Sequence, residues 1–240
     1  RKDEGGEGPR ILLTGDPARV DDVVRQAAAT LLVRDLVDTG ANDLGPAELE
    51  AQAASLASAH GATLTVTKGV ELERGYPMIH AVGKAAAKGR EPRLIEVEWG
   101  NPAHPRVAIV GKGVCFDSGG LNIKPGSGMA LMKKDMGGAA HALALATLVI
   151  ESRLPVRLHL LVPAVENAIA GDAFRPGDVL RTRKGITVEN TNTDAEGRLI
   201  LGDALTRAVE SQPELMIDFA TLTGAARVAL GPDLPATFAN

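Results

Sequence analysis

The sequence predicts an α/β fold with a mixed, mostly parallel central sheet sandwiched by helices. Three observations predict it. Short apolar runs of strand length alternate with longer segments of helical period. Gly- and Pro-containing segments separate them, as in Gly40-Ala41-Asn42-Asp43-Leu44-Gly45-Pro46. The 240 residues are 45% hydrophobic, enough for a sizeable buried core in one or two domains.

Residues 1–8 are charged and Gly-rich and read as linker, and Arg10–Thr14 is a short apolar run that reads as a strand. Asp16-Pro17 is a good helix start, and from Pro17 to Asp38 a stripe of Val20, Val23, Val24, Ala27, Ala28, Leu31, Leu32 and Leu36 recurs at helical spacing. A second helix runs from Pro46 to His60, with Gly61 placed as its C-cap. Thr63–Thr67 is a strand, Met78–Ala87 a helix, and Leu94–Trp99 and Arg106–Val110 are strands. An Ala-rich helix begins at Lys134 or Asp135 and ends at Glu151, followed by a strand at Arg157–Val162. Val179–Thr182 and Ile186–Glu189 flank Arg183-Lys184-Gly185 as a hairpin. Gly197 to Glu210 is a helix, Leu215–Phe219 a strand and Leu222–Leu230 a helix. Alternation of this kind builds parallel sheets covered on both faces.

Composition excludes several functions. A net charge of −4 and an aromatic content of 2% give no footing for nucleic acid or an anionic membrane surface. No apolar run reaches the roughly 18 residues that a membrane helix needs. Cys115 is the single cysteine, so no internal disulfide can form, which suits a reducing, cytoplasmic setting. The first residues lack the apolar stretch of a signal peptide. The absence of Met at the start and the stop at Asn240 in mid-pattern read as a piece of a longer protein.

The chemistry concentrates in Asn192-Thr193-Asp194-Ala195-Glu196-Gly197-Arg198-Leu199. In an extended chain Asp194 and Glu196 point to one face, where the pair can grip a cation. Lys112 stands beyond the strand Arg106–Val110, and Asp117 follows the short run Val114-Cys115-Phe116. Ligands of open α/β sheets bind beyond such strand ends. Asp135 lies near the start of a long helix, where the dipole favours a carboxylate. Four carboxylates in one site would repel each other, and two divalent cations remove the conflict. Nearby divalent charge can depress the Lys112 pKa until its amine coordinates, while Lys124 can stay charged and stabilise an oxyanion. Arg198 offers a planar fork for an oxyanion.

Other features read as structural. Gly111-Lys112-Gly113 lacks phosphate-loop spacing, and taken alone it is a turn. His60, His80, His104, His141 and His159 have no ligand spacing, with His159 a structural residue of an apolar strand. Cys115 reads as a small buried side chain and Lys133-Lys134 as a solvated pair.

Taken together, Val110-Gly111-Lys112-Gly113, Phe116-Asp117-Ser118-Gly119-Gly120, Ile123-Lys124-Pro125, Met132-Lys133-Lys134-Asp135-Met136-Gly137-Gly138-Ala139-Ala140 and the Asn192–Leu199 octapeptide resemble the leucyl aminopeptidases, the cytosol aminopeptidase family of dinuclear metallopeptidases. Arg34-Asp35-Leu36-Val37, Asn42-Asp43-Leu44-Gly45-Pro46, Pro176-Gly177-Asp178-Val179 and Ala220-Thr221-Leu222-Thr223-Gly224-Ala225 extend the likeness from about Arg34 to the end.

The resemblance implies that Lys112, Asp117, Asp135 and Glu196 hold one divalent ion, Zn²⁺ or Mn²⁺, and Asp117, Asp194 and Glu196 the other. It implies that Lys124 polarises the scissile carbonyl, and that Arg198, with backbone groups of Gly197 and Leu222, holds a bicarbonate-like anion acting as base. The implied reaction is release of N-terminal residues, Leu and other apolar ones favoured, from peptides with a free N-terminus, by a hydroxide bridging the two metals. The implied assembly is a homo-hexamer. Residues 1–16 would be the remnant of an N-terminal domain, 17–38 an interdomain helix, and 39–240 a catalytic domain lacking its C-terminal part.

Two rival readings stand beside this one. A two-metal phosphoesterase shares the metal chemistry, but the lack of clustered histidine argues against it. A fragment that only binds metal or partner subunits is the other, against which stands the retention of Lys124 and Arg198.

Overall fold

The computed structural model describes Gly15 and residues 19–240. The expected linker at 1–8, the strand Arg10–Thr14 and the helix start at Asp16-Pro17 lie outside the described residues. Helix α1 spans Val20–Asp38 and α2 spans Pro46–His60. Strand β1 covers Thr63–Lys68, and two short helices follow, α3 at Gly69–Gly75 and α4 at Pro77–Gly83. Next come β2 (Arg93–Trp99), β3 (Arg106–Gly111), β4 (Gly113–Asp117) and the single turn α5 (Gly126–Met129). A 3-10 turn at Met132–Met136 leads into α6 (Gly137–Glu151), then β5 (Arg157–Asn167). The hairpin β6 (Val179–Arg181) and β7 (Thr187–Glu189) precedes a 3-10 turn at Thr193–Ala195. Helix α7 (Gly197–Glu210), strand β8 (Leu215–Phe219) and helix α8 (Ala225–Leu230) complete the order.

The main sheet runs β1-β2-β5-β3-β8, with β4 also paired to β5. The pairs β3–β5, β3–β8 and β4–β5 are parallel, and β1–β2 and β2–β5 are antiparallel. The expected mixed, mostly parallel sheet is therefore found. Its two faces carry separate cores. Leu158, Leu160 and Val162 of β5 pack under α1, α2 and α6, while Leu161 and Val165 face α4 and α7. Each face is apolar because alternate strand residues point to opposite sides.

Several elements depart from the sequence reading. The predicted Met78–Ala87 helix is instead α4, begun by Pro77 and ending at Gly83, and α3 lies in a stretch given no assignment. Of the stripe predicted for α1, Leu32 and Leu36 pack on the core, joined by Ala29 and Val33 from outside the stripe, while Val23, Val24 and Leu31 are more than half exposed. The helical period was right, but periodicity cannot show which side a neighbouring helix covers.

Strand β5 continues past Val162 to Asn167, through Pro163. Proline cannot donate to a ladder, so it ends most central strands. Here Leu161 pairs with Val110 and Ala164 with Gly113, which sets Pro163 opposite the break between β3 and β4. The ladder on that side is interrupted anyway, and the strand runs on.

Helix α7 is tied to the sheet by a buried ionic group. Glu96 of β2 accepts hydrogen bonds from His159 Nε2 of β5 at 2.8 Å and lies 3.0 Å from Arg207 Nε of α7. Asp203 of α7 accepts from the backbone N–H groups of Met78 and Arg183, each at 2.8 Å. Burial alone would raise the Glu96 pKa, but His159 and Arg207 outweigh it and hold the carboxyl below its ordinary value. A depressed carboxyl pKa adds stability that is present above the unfolded value and is lost as pH falls through the folded one. Between about pH 5 and about pH 3 the wild-type chain should therefore lose more stability than Glu96→Gln, with their urea midpoints converging as the pH drops.

Candidate metal centre

The break between β3 and β4 falls at Lys112. Its N–H donates to the Phe219 carbonyl of β8 at 2.9 Å, and its own carbonyl accepts from Ala139 N–H of α6 at 2.8 Å. Backbones meet closely here. A Cβ on Gly138 would lie 2.2 Å from the Phe219 oxygen and 2.8 Å from the Lys112 nitrogen, so only glycine fits. Gly111-Lys112-Gly113 is thus a point where the chain leaves one ladder and joins another, rather than a simple turn.

From this break the Lys112 side chain is buried. Its Nζ donates to the Thr221 carbonyl at 2.7 Å and lies 2.9 Å from both Asp135 Oδ2 and Glu196 Oε1. Burial by itself would lower the Lys112 pKa, but the two carboxylates outweigh it and raise it. Asp135 sits in the 3-10 turn before α6, and its Oδ1 accepts from Thr221 Oγ1 at 2.8 Å. Glu196 sits immediately before α7 and is 1% exposed.

Asp117 ends β4. Its Oδ1 accepts from Gly119 N–H at 2.9 Å and from Asn167 Nδ2 at 2.8 Å, while Oδ2 lies 3.0 Å from Lys124 Nζ. The same ammonium is 2.6 Å from Asp194 Oδ1. Burial pulls the Lys124 pKa down, but hydrogen bonds to Asp194 and Asp117 outweigh it and raise it, so the group is cationic at neutral pH.

The structure corrects the reading of Asp194-Ala195-Glu196 as extended. Asn192 Oδ1 caps Asp194 N–H at 2.8 Å, the chain turns through a 3-10 helix, and Glu196 already has helical dihedrals of −67° and −32°. Two residues along such a turn do not share a face as they do in a strand. Asp194 consequently reaches Lys124 while Glu196 reaches Lys112.

Oxygens of Asp117, Asp135 and Glu196, all buried, lie within 4.8 Å of one another. Burial, opposed by Lys112 and reinforced by Asp117 and Asp135, pushes the Glu196 carboxyl up to about 7. Asp135 Oδ2 and Glu196 Oε1 are buried and receive no aligned hydrogen bond. Both stand at ion-pair distance from Lys112 Nζ, and that attraction does not depend on angle. Four carboxylates, counting Asp194, face two lysines, leaving an excess of negative charge in a largely dry site. Convergent buried carboxylate oxygens with unfilled acceptor capacity fit hard or borderline divalent cations.

The remaining sequence candidates lie at the rim. Gly197 opens α7, and a Cβ there would meet Lys112 Cε at 2.7 Å and Leu222 Cδ2 at 2.9 Å. Gly197, Leu222 and Lys112 are therefore in contact. Arg198 follows Gly197 but points to solvent, and among the described residues it makes no ion pair or hydrogen bond. Cys115 is fully buried, and burial raises its thiol pKa, so it is no nucleophile.

Sequence reasoning missed the residues that orient this set: Asn167, Thr193, Asn122 and the Thr221 side chain. The signal for Asn167 was available. Glu166-Asn167 is a polar pair that closes a long apolar run, which marks a strand end where ligands gather.

The profile of the cytosol aminopeptidase family, catalytic domain, matches residues 31–240. The chain belongs to the cytosol aminopeptidase family. A probable cytosol aminopeptidase of Syntrophotalea carbinolica is 45% identical over 231 residues, 95% of this chain and 46% of that relative. The crystal structure of the cytosol aminopeptidase from Coxiella burnetii superposes with a TM-score of 0.88 at 53% identity, over 90% of this chain and 47% of that one. The bottromycin maturation enzyme BotP in complex with Mn matches with a TM-score of 0.85 at 41% identity, over 92% of this chain and 49% of BotP. The chain thus spans about half the length of these cytosol aminopeptidase relatives.

Because Gly197 packs against the pinned Lys112 side chain, Gly197→Ala should lower the stability of the metal-free protein by about 1–3 kcal/mol in urea unfolding, the usual cost of overpacking. Glycine 224 is the matched control: a Cβ there meets nothing within 4 Å, so Gly224→Ala should change stability far less.

Proposed function

We propose that this chain carries the metal and catalytic centre of a cytoplasmic aminopeptidase that releases N-terminal residues, Leu and other apolar ones favoured, from peptides with a free N-terminus. The carrying observation is the buried triad Asp117, Asp135 and Glu196 with its unfilled oxygens beside Lys112 and Lys124. Family membership supports the same reading, as does the Mn in the BotP complex.

In this reading Lys112, Asp117, Asp135, Asp194 and Glu196 hold two divalent ions, Zn²⁺ or Mn²⁺. Such ions, when bound, supply Lewis acidity and a water acidic enough to act as nucleophile near neutral pH. Lys124 stays protonated and, once cations neutralise Asp117 and Asp194, its ammonium is free to donate to the oxygen of the first peptide carbonyl as negative charge develops there. Arg198 lies in the first turn of α7, whose N–H groups favour anions, and is unengaged among the described residues. It holds a bicarbonate-like anion, with Gly197 and Leu222, that takes up the proton. Metals held by these residues would also offer an anchor for a free α-amine, which would orient a peptide by its N-terminus. The full-length protein is a homo-hexamer, and the exposed Val23, Val24 and Leu31 of α1 suit a helix that leads to a further domain.

Full-length protein with Zn²⁺ or Mn²⁺ should hydrolyse Leu-p-nitroanilide, lose the activity to a chelator and regain it when the metal returns. Asp194→Ala/Glu196→Ala should lower kcat by at least about 10³-fold, the equivalent of roughly 4 kcal/mol; unchanged turnover overturns the proposal. Lys124→Ala should lower kcat by about 10²–10³-fold, as loss of a single oxyanion donor does, with a smaller change in KM.

A further inference from the structure

Strand β5 ends at Asn167, which pairs in register with Asp117 at the end of β4. Asn167 is 1% exposed. Its Nδ2 donates twice, to Asp117 Oδ1 at 2.8 Å and to the Thr193 carbonyl at 3.0 Å. Both partners are acceptors only, which fixes the amide orientation, since a flipped amide would set oxygen against oxygen. The backbone of Asn167 acts on the same loop, its carbonyl accepting from Ser118 N–H at 3.1 Å and Ser118 Oγ at 2.7 Å.

Two consequences follow for Asp117. Gly119 N–H and Asn167 Nδ2 together occupy Oδ1, so the carboxylate is held with Oδ2 turned toward Lys124, whose ammonium also meets Asp194. Without the amide, Oδ1 would keep only the Gly119 N–H, and the Lys124 ammonium on Oδ2 would be the other restraint on rotation about the Cβ–Cγ bond. The second bond crosses to Thr193, the residue directly before Asp194. Thr193 is locked in turn, donating from Oγ1 to the Gly119 carbonyl at 2.7 Å and exchanging bonds of 2.8 Å with the Asn122 N–H and Oδ1. The amide therefore joins the loop after β4 to the turn that carries Asp194 and Glu196.

The residue type suits the task. A lysine or arginine here would add a cation competing for Asp117, and an aspartate would add a further negative charge to a site that already has an excess. A neutral donor holds the carboxylate without altering the charge balance.

We infer that Asn167 is a positioning residue of the metal centre, fixing which oxygen of Asp117 faces the cations and setting the distance between Asp117 and the Asp194–Glu196 turn. The inference rests on the two-cation reading of the site. Partners that orient a ligand in this way typically contribute 10–100-fold to metal affinity.

The test is calorimetric titration of Mn²⁺ into chelator-stripped full-length protein, wild type against Asn167→Ala and Asn167→Leu, a neutral side chain of similar volume that cannot donate. Visible absorption of the Co²⁺-loaded forms is recorded alongside. Affinities are taken for the fraction folded by circular dichroism. Both variants should bind Mn²⁺ about 10–100-fold more weakly and show shifted Co²⁺ bands, because ligand geometry has changed. A purely structural role would lower the melting temperature but leave the folded fraction with wild-type affinity and bands, and that result overturns the inference. If Asn167→Ala does not fold, Asn167→Leu decides, since it keeps the volume and the backbone bonds to Ser118. A wild-type protein that takes up no Mn²⁺ or Co²⁺ would remove the two-cation reading itself. Wild-type uptake with unaltered variants would remove only the role of Asn167.

Discussion

Three carboxylates buried within 4.8 Å of one another are the constraint on which the rest of this structure depends. Like charges taken out of water repel each other strongly, and unpaired buried charge is among the most destabilising features a fold can contain. The high pKa of Glu196, caused first by burial, measures that tension. Lys112 and Lys124 answer part of it, each bridging two acids at 2.6–3.0 Å. Asn167 and Thr221 answer another part with neutral donors. The charge that remains suits divalent cations, so the proposed function would draw on the same electrostatic imbalance that strains the fold.

The fold assembles this imbalance from distant chain segments by interrupting a strand. Splitting one ladder into β3 and β4 places Lys112 at a gap where backbone from β8 and α6 can approach. Gly138 permits that approach, bringing α6 against the strand ends and delivering Asp135 from the turn that precedes it. The same gap lets β5 pass through Pro163 and reach Asn167. On the opposite face α7 is anchored by Glu96, His159 and Arg207, which sets its first turn, and with it Glu196, beside Lys112. Local oddities of sequence, a Gly-Lys-Gly segment and a proline within a strand, are connected consequences of one break in the sheet.

Legibility in the sequence followed the range of the interaction concerned. Helix α2 with its cap at Gly61, helix α7, strand β8 and the alternation behind the mixed sheet rest on local periodicity and turn chemistry, and the structure has them where the pattern places them. The residues of the candidate metal centre were nameable because motifs keep chemically demanding side chains in fixed order. The errors came where local pattern met a distant partner. Asp194-Ala195-Glu196 looked extended until the Asn192 cap made it a turn. Only part of the α1 stripe, Leu32 and Leu36, meets the core, because α6, about a hundred residues on, determines which side is covered. Asn167 was passed over because the strand was read only as far as Val162, whereas it continues to Asn167.

The sequence by itself determined the element types, the family and the inventory of acids and bases, because each depends on residue identity and short-range spacing. Only the tertiary structure decided how these groups face one another. It sent Asp194 to Lys124 and Glu196 to Lys112, left Arg198 in solvent, and set Asn167 against Asp117. The physical reason is that charge balance in a buried site depends on distances of about 3 Å between residues tens of positions apart. Such distances are fixed by packing of the sheet and its helices, which no local pattern contains.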